Sequence, residues 1–292
     1  MSFICNQFWY PPRQIYLNSR FAASIPDKSK KNHCYFSIET INIPVAYDNL
    51  LVSIDDAQIP ISFYSINETN NRININMGVG ENENYTEINQ DFTIPVGNYD
   101  AISLSVKLMQ LVNNLWQQTT NFHQNVSFLI TYDGVTNKFT FKVMNSPTVY
   151  YLTITCYDYS YVIWGFNENS NTMGGYDAII VSDNTIDLAG SRFIFVQCPT
   201  FGTVNVNSKT GSTNQILAKI PITKEYLEIQ QYQTSGYTNK IHNNKAITVI
   251  EIKLLDENLN DIDFNGADWS LSMTISILGR PPEDIMVPTV NI

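Results

Sequence analysis

The chain has 292 residues, of which 43% are hydrophobic and only 15% charged, with a formal net charge of −10. That length holds one large β domain or two smaller ones, with enough apolar residues for a true core. The acidity argues against direct nucleic-acid binding by the folded body, because phosphate contacts need clustered Lys and Arg, and the densest cationic stretch, Lys28, Lys30 and Lys31, reads as a solvated segment.

Residues 1–30 read as an N-terminal arm. Trp9-Tyr10-Pro11-Pro12 opposes both helix and inner strand. The arm also carries Phe8, Tyr16 and Phe21, too apolar a set for a free tail. Phe8, Trp9, Tyr10, Tyr16 and Phe21 are therefore candidate interface residues. Met1 to Tyr10 lacks the basic and apolar regions of a signal peptide. No run approaches the roughly 18 apolar residues of a membrane span. Cys5, Cys34, Cys156 and Cys198 are scattered, with no metal-ligand spacing. They read as reduced, buried thiols, which fits folding in a cytoplasm.

From Cys34 the apolar period becomes two, and short strands follow. Leu50 to Ile54 is broken by Asp55-Asp56, Ile59 to Ile66 resumes, Arg72 to Met77 alternates cleanly, and Phe92 to Ile94 ends at Pro95 and Gly97. Between 100 and 117 the spacing of Leu104, Leu108, Leu111 and Leu115 predicts a helix, capped by Asn98 or Asp100. Strands are then expected at 127–132, 138–143, 150–156, 161–164, 193–196, 216–222, 247–255 and 269–277. The pattern predicts an all-β fold, a β-sandwich over residues 31–280. It carries an inserted α+β region at about 92–170 with one main helix. Residues 281–292, with Pro281, Pro282 and Pro288, are expected to be an irregular tail.

Motifs for chemistry are weak. His33, His123 and His242 sit near no catalytic signature. Asp256 to Asp263 resembles the start of a Ca²⁺ loop, but Asp261 and Ala267 occupy the positions that demand Gly and Glu. Asp55 and Asp56, adjacent on a strand, are expected to face opposite ways. Tyr150, Tyr151, Tyr157, Tyr159 and Tyr161 could stack sugars or, more simply, fill a core and interface. Asn67, Asn84 and Asn125 head glycosylation sequons that an Asn-rich chain generates by chance. No catalytic residue, metal or cofactor is expected.

An ordered set of segments resembles the single jelly-roll penton proteins of virophages, polinton-like viruses and related large DNA viruses. The segments are Leu17-Asn18-Ser19-Arg20, Ile59 to Asn67, Phe92 to Tyr99, Trp164-Gly165-Phe166 and a closing block from Ile250 to Ser270. The resemblance implies that the all-β sandwich is a jelly roll and that the chain is a vertex capsid subunit: a homopentamer at the icosahedral five-folds, in contact with a double jelly-roll major capsid protein. It implies a place in the virion, after assembly in the host cytoplasm. In the closing block Phe264 and Trp269 are expected to anchor the last loop on the core, and Gly266 to take a positive φ there. Asp263, Asn265 and Asp268 are expected to bond nearby backbone N–H groups. Two other readings stay open on the residues alone: a carbohydrate- or receptor-binding sandwich of spike or lectin type, and a hydrolase on a β scaffold.

Overall fold

The computed structural model describes residues 11–43, 49–81, 84–119, 126–144, 149–167, 171–174, 179–201, 205–206, 213–234, 239–242 and 246–278. From the amino end come β1 (Arg13–Asn18), a 3-10 turn (Ser19–Phe21), β2 (His33–Ile41) and β3 (Asn49–Pro60). The middle holds β4 (Arg72–Glu81), β5 (Asn84–Thr93), α1 (Ala101–Thr119), β6 (Ser127–Asp133), β7 (Lys138–Met144), β8 (Val149–Cys156), α2 (Ser160–Trp164), β9 (Asn171–Gly174) and β10 (Ile179–Val181). The last third adds β11 (Phe193–Gln197), β12 (Asn205–Val206), β13 (Thr213–Asn214), β14 (Ile216–Pro221), β15 (Ile229–Gln233), β16 (Asn239–His242), β17 (Ile247–Leu255) and β18 (Ser270–Leu278).

These elements form two compact units. One comprises the chain up to Phe63 and from Ser191 onward; the other is Tyr64–Gly190. The insertion expected at about 92–170 is therefore wider. β4 and β5 belong to it, because β4 pairs with both β5 and β8. Alternation marks a strand as half-buried but does not name its partner.

The first unit is a two-sheet sandwich. One sheet runs β1-β18-β3-β15, with β16 also on β3; the other runs β14-β11-β17-β2. β15 and β16 share the same edge of β3 and count as one strand position. Lettered B to I in chain order, the sheets read B-I-D-G and F-E-H-C, the strand order of a jelly roll. The inward side chains of the two sheets meet in a core that includes Val52, Ile54, Leu271 and Met273 from one and Phe36, Val196, Ile250 and Ile252 from the other.

Residues 13–18, read in sequence as part of an arm, form the first strand of this sandwich, in register from Arg13 opposite Ile275 to Asn18 opposite Ser270. Only Leu17 among them is fully buried, too little for a period-two signal. β3 continues through Asp55-Asp56 and stops at Pro60, so residues 61–66 do not resume it as expected.

In the second unit β5-β4-β8-β9 form one sheet and β10-β7-β6 another, with α1 against β6 and β5. The helix expected at 100–117 spans Ala101–Thr119. Asp100 caps it: its Oδ1 accepts the Ser103 N–H at 2.6 Å, and Ser103 Oγ accepts the Asp100 N–H at 3.1 Å. The fully buried row is Leu104, Leu108, Val112 and Trp116, with Leu111 and Leu115 only partly buried. Tyr161 to Trp164, expected as a strand, lies in the helical turn α2. A short apolar run cannot be told apart by period alone. Gly165 closes that turn at φ +72°, where a Cβ would collide with the carbonyl oxygen of Asn184.

Candidate assembly surface

Strands β1, β3, β14 and β17 finish at one end of the sandwich, where the next strand position begins. The connections 19–32, 222–228 and 256–269 and the departure of the chain beyond Pro60 therefore share that end. Hydrogen bonds tie them together. Phe264 N–H donates to Lys30 O at 3.0 Å and Gly266 N–H to Ser29 O at 2.6 Å. Ser62 Oγ donates to Phe264 O at 2.7 Å, and Ile61 N–H to Glu228 O at 2.8 Å.

The residues expected to anchor the closing block sit inside this network. Phe264 is fully buried and meets Phe63 edge-on at 5.8 Å. Trp269 is 1% exposed and meets Phe36 edge-on at 6.0 Å. Its indole Nε1 donates to Lys31 O at 2.8 Å, which removes the cost of burying that N–H. Gly266 adopts φ +75°.

Asp263 accepts the Asn265 N–H at 2.8 Å, and Asn265 Nδ2 donates to Ser62 O at 2.5 Å. Asp268 reaches further than the turn. Its carboxylate accepts from Ser19 Oγ at 3.0 Å, Arg20 Nε at 3.1 Å and Lys31 Nζ at 2.7 Å. The Lys31 ammonium, with help from Arg20 and Ser19, holds the Asp268 carboxyl below the ordinary range. Sequence offered no cue to these partners, which lie more than 230 positions away.

Of the candidate interface rings, Tyr16 on β1 and Phe21 in the 3-10 turn are 75% and 79% exposed. Phe8, Trp9 and Tyr10 lie outside the described residues, as does the tail 281–292.

The residues weighed for chemistry are otherwise engaged. Cys34, Cys156 and Cys198 are buried and free. Burial pushes each thiol up to about 12, which makes them poor nucleophiles at neutral pH. His33 Nε2 lies 2.8 Å from Glu251 Oε1. His123 and the side chain of His242 lie outside the described residues.

Asp256 accepts the N–H groups of Asn258 and Asn260 at 2.8 and 2.7 Å, so it fixes its own loop. Asn67 Oδ1 similarly accepts the N–H and hydroxyl of Thr69 at 2.9 and 2.7 Å. Among the described residues no group of three or more His, Cys, Asp or Glu side chains could hold a metal ion, and no helix is long and apolar enough to cross a membrane. Tyr161 packs on the core of the second unit. Tyr157 donates to Asp91 at 2.9 Å, with the Arg72 guanidinium 5.0 Å from its ring centre.

One expectation needs correction. Asp55 and Asp56 do not face opposite ways. The β18–β3 register jumps from Ser272 opposite Asp56 to Met273 opposite Ile54, leaving Asp55 as the extra residue of a bulge. Both carboxylates then lie on the outer face. Ser53 and Thr274 hydroxyls donate to Asp55, each at 2.6 Å, and Ser272 donates to Asp56.

No protein-family model matches the chain, and no curated protein matches it. Among solved structures, the chain is similar to the mavirus penton protein, with a TM-score of 0.48 and 8% identity, over 91% of this chain and 100% of that one. It is also similar to a chain of the Sputnik virophage structure, with a TM-score of 0.42 and 12% identity, over 91% of this chain and 98% of that one.

Proposed function

We propose that the protein is a structural virion subunit. It forms a homopentamer at the five-fold vertices of an icosahedral capsid and contacts a double jelly-roll major capsid protein, with no catalytic role. The observation that carries this reading is the jelly-roll strand order of the first unit. Its last two strands, β17 and β18, and the loop between them, anchored by buried Ile262, Phe264 and Trp269, are the segment that resembles the penton proteins' closing block. A fold alone does not name a function; the ordered resemblance adds the vertex role to it.

In this reading the part of the arm ahead of β1, residues 1–12, and the tail 281–292 serve as connectors, and the exposed Tyr16 and Phe21 belong to the contact surface. Ring closure needs a head-to-tail contact between unlike surfaces. The protein would be assembled in the host cytoplasm and reside at the capsid vertex. The test is co-expression with the major capsid protein and image reconstruction of the particles. Density for this chain in five copies around each five-fold axis is expected; particles whose five-folds lack it would overturn the assignment.

A further inference from the structure

β1 and β15 are the two opposite edges of one sheet, and their chemistry differs. On and just beyond β1, Tyr16 and Phe21 stand in solvent, with Arg20 next to Phe21 in the chain. The Arg20 guanidinium bonds Asp268 yet remains 70% exposed. At the other edge, the turn into β15 presents Tyr226, Leu227 and Ile229, with 41%, 74% and 54% exposure. Glu225 and Glu228 are exposed there too, with Lys224 beside them. One edge is aromatic and basic; the other is mainly aliphatic and net negative, with two glutamates against one lysine.

The second edge is also rigidly built. Leu227 holds φ +70°, a region that L side chains avoid. Four hydrogen bonds fix it there: Leu227 N–H to Ile61 O at 2.8 Å, Ile61 N–H to Glu228 O at 2.8 Å, Glu228 N–H to Glu225 O at 3.1 Å and Glu225 N–H to Glu228 Oε2 at 2.9 Å. A strained backbone that holds a leucine out in water is a cost to an isolated subunit. It is understandable where a partner covers the side chain.

We infer that the β1 edge of one copy docks on the β15 edge of the next. Tyr16 and Phe21 pack on Tyr226, Leu227 and Ile229, and Arg20 faces Glu225 and Glu228. Charge selects the second copy and its orientation. An isologous contact sets each edge against itself and brings like charges together, whereas the head-to-tail contact pairs opposite ones. The inference rests on the ring-forming reading above and names the interface of that ring.

The test uses full-length chain in a Cys5→Ser background carrying both Phe21→Cys and Leu227→Cys, co-assembled into particles and treated with a short bismaleimide. A ladder from two to five linked copies is expected, with each single-cysteine chain remaining unlinked. Dimers from either single variant would mean that an edge meets itself and would overturn the inference. So would a double variant that occupies the five-folds yet stays unlinked, an outcome that leaves the vertex role standing. Wild-type chain absent from the five-folds would sink both. Leu227→Asp supplies a second reading: its melting temperature is expected to match the wild type while incorporation is lost. Unchanged incorporation counts against the interface.

Discussion

Asn113 on α1 satisfies both backbone groups of Phe128 on β6: its Nδ2 donates to Phe128 O at 2.9 Å, and its Oδ1 accepts the Phe128 N–H at 2.7 Å. Among the described residues β6 is the edge of a three-stranded sheet and pairs with β7 alone. The side-chain amide therefore stands in for a residue of a missing neighbouring strand, and the helix covers an edge that would otherwise invite pairing with another chain. Asn113→Leu leaves a donor and an acceptor without partners at a buried residue, so it is expected to cost about 2–4 kcal/mol. Asn113→Asp keeps the acceptor and loses the donor, and should cost less. Chemical denaturation of the two variants checks this; equal midpoints for Asn113→Leu and wild type would refute the clamp.

Trp269 joins packing and polarity in one side chain. Trp269→Ala removes a fully buried ring and is expected to cost about 3–5 kcal/mol. Trp269→Phe keeps most of the ring contact with Phe36 but leaves the Lys31 carbonyl without its indole donor, and is expected to cost about 1–2 kcal/mol. The ordering of the two melting temperatures is the measurement. If Trp269→Ala melts with the wild type, the ring does not hold the loop to the core.

How much of this was legible in the sequence depends on the range of the information each feature needs. α1 and the last strands could be placed within one or two residues, because apolar period and turn residues are local. Phe264 and Trp269 stood out as large apolar residues around a polar turn. Leu17 could not reveal β1 by itself, and nothing near Asp268 announces Lys31 or Arg20 as partners. The bulge at Asp55 is equally hidden: two acids in a row look like the end of a strand, whereas here hydroxyls on the neighbouring strand accommodate both. The boundary of the inserted unit was missed because Ile73 and Ile75 alternate as any half-buried strand would, whichever sheet they join.

Asp268 predicts a pH dependence with a definite sign. Its carboxyl is held below the ordinary value by Lys31, Arg20 and Ser19, so the unfolded chain binds this proton more readily than the folded one. The contribution is fully present above the unfolded value of about 4 and is lost as pH falls through the lower folded value. Asp27, Asp91, Asp100 and Asp133 are lowered as well, so wild type alone cannot isolate the effect. The difference in melting temperature between wild type and Asp268→Asn can. A gap is expected at pH 7, worth about 1–2 kcal/mol for a partly exposed group, and it should narrow below pH 4. A gap that stays constant to pH 2 would exclude the carboxylate as its source.

The bulge in β3 makes a deletion prediction that runs against the usual intolerance of strands to a change in length. Val52, Ile54, Ala57 and Ile59 all face the core, a spacing of two, three and two. The extra residue in the middle interval is Asp55, which has no partner across from it on β18. Deleting Asp55 restores an even period and leaves every inward side chain inward. What it removes is local: the hydroxyl bonds from Ser53 and Thr274 and the bond from Thr234 N–H to Asp55 O at 3.0 Å. All three lie at the outer face or strand edge, so a cost of about 1–3 kcal/mol is expected, with the fold retained. Deleting Ser53 is different. It makes Val52 and Ile54 neighbours, so one of them must turn to solvent or the strand must slip by one residue, which sends its whole apolar set outward. Soluble, cooperatively melting protein is expected from the Asp55 deletion and aggregated protein from the Ser53 deletion. If both deletions behave alike, the bulge is not where the register places it.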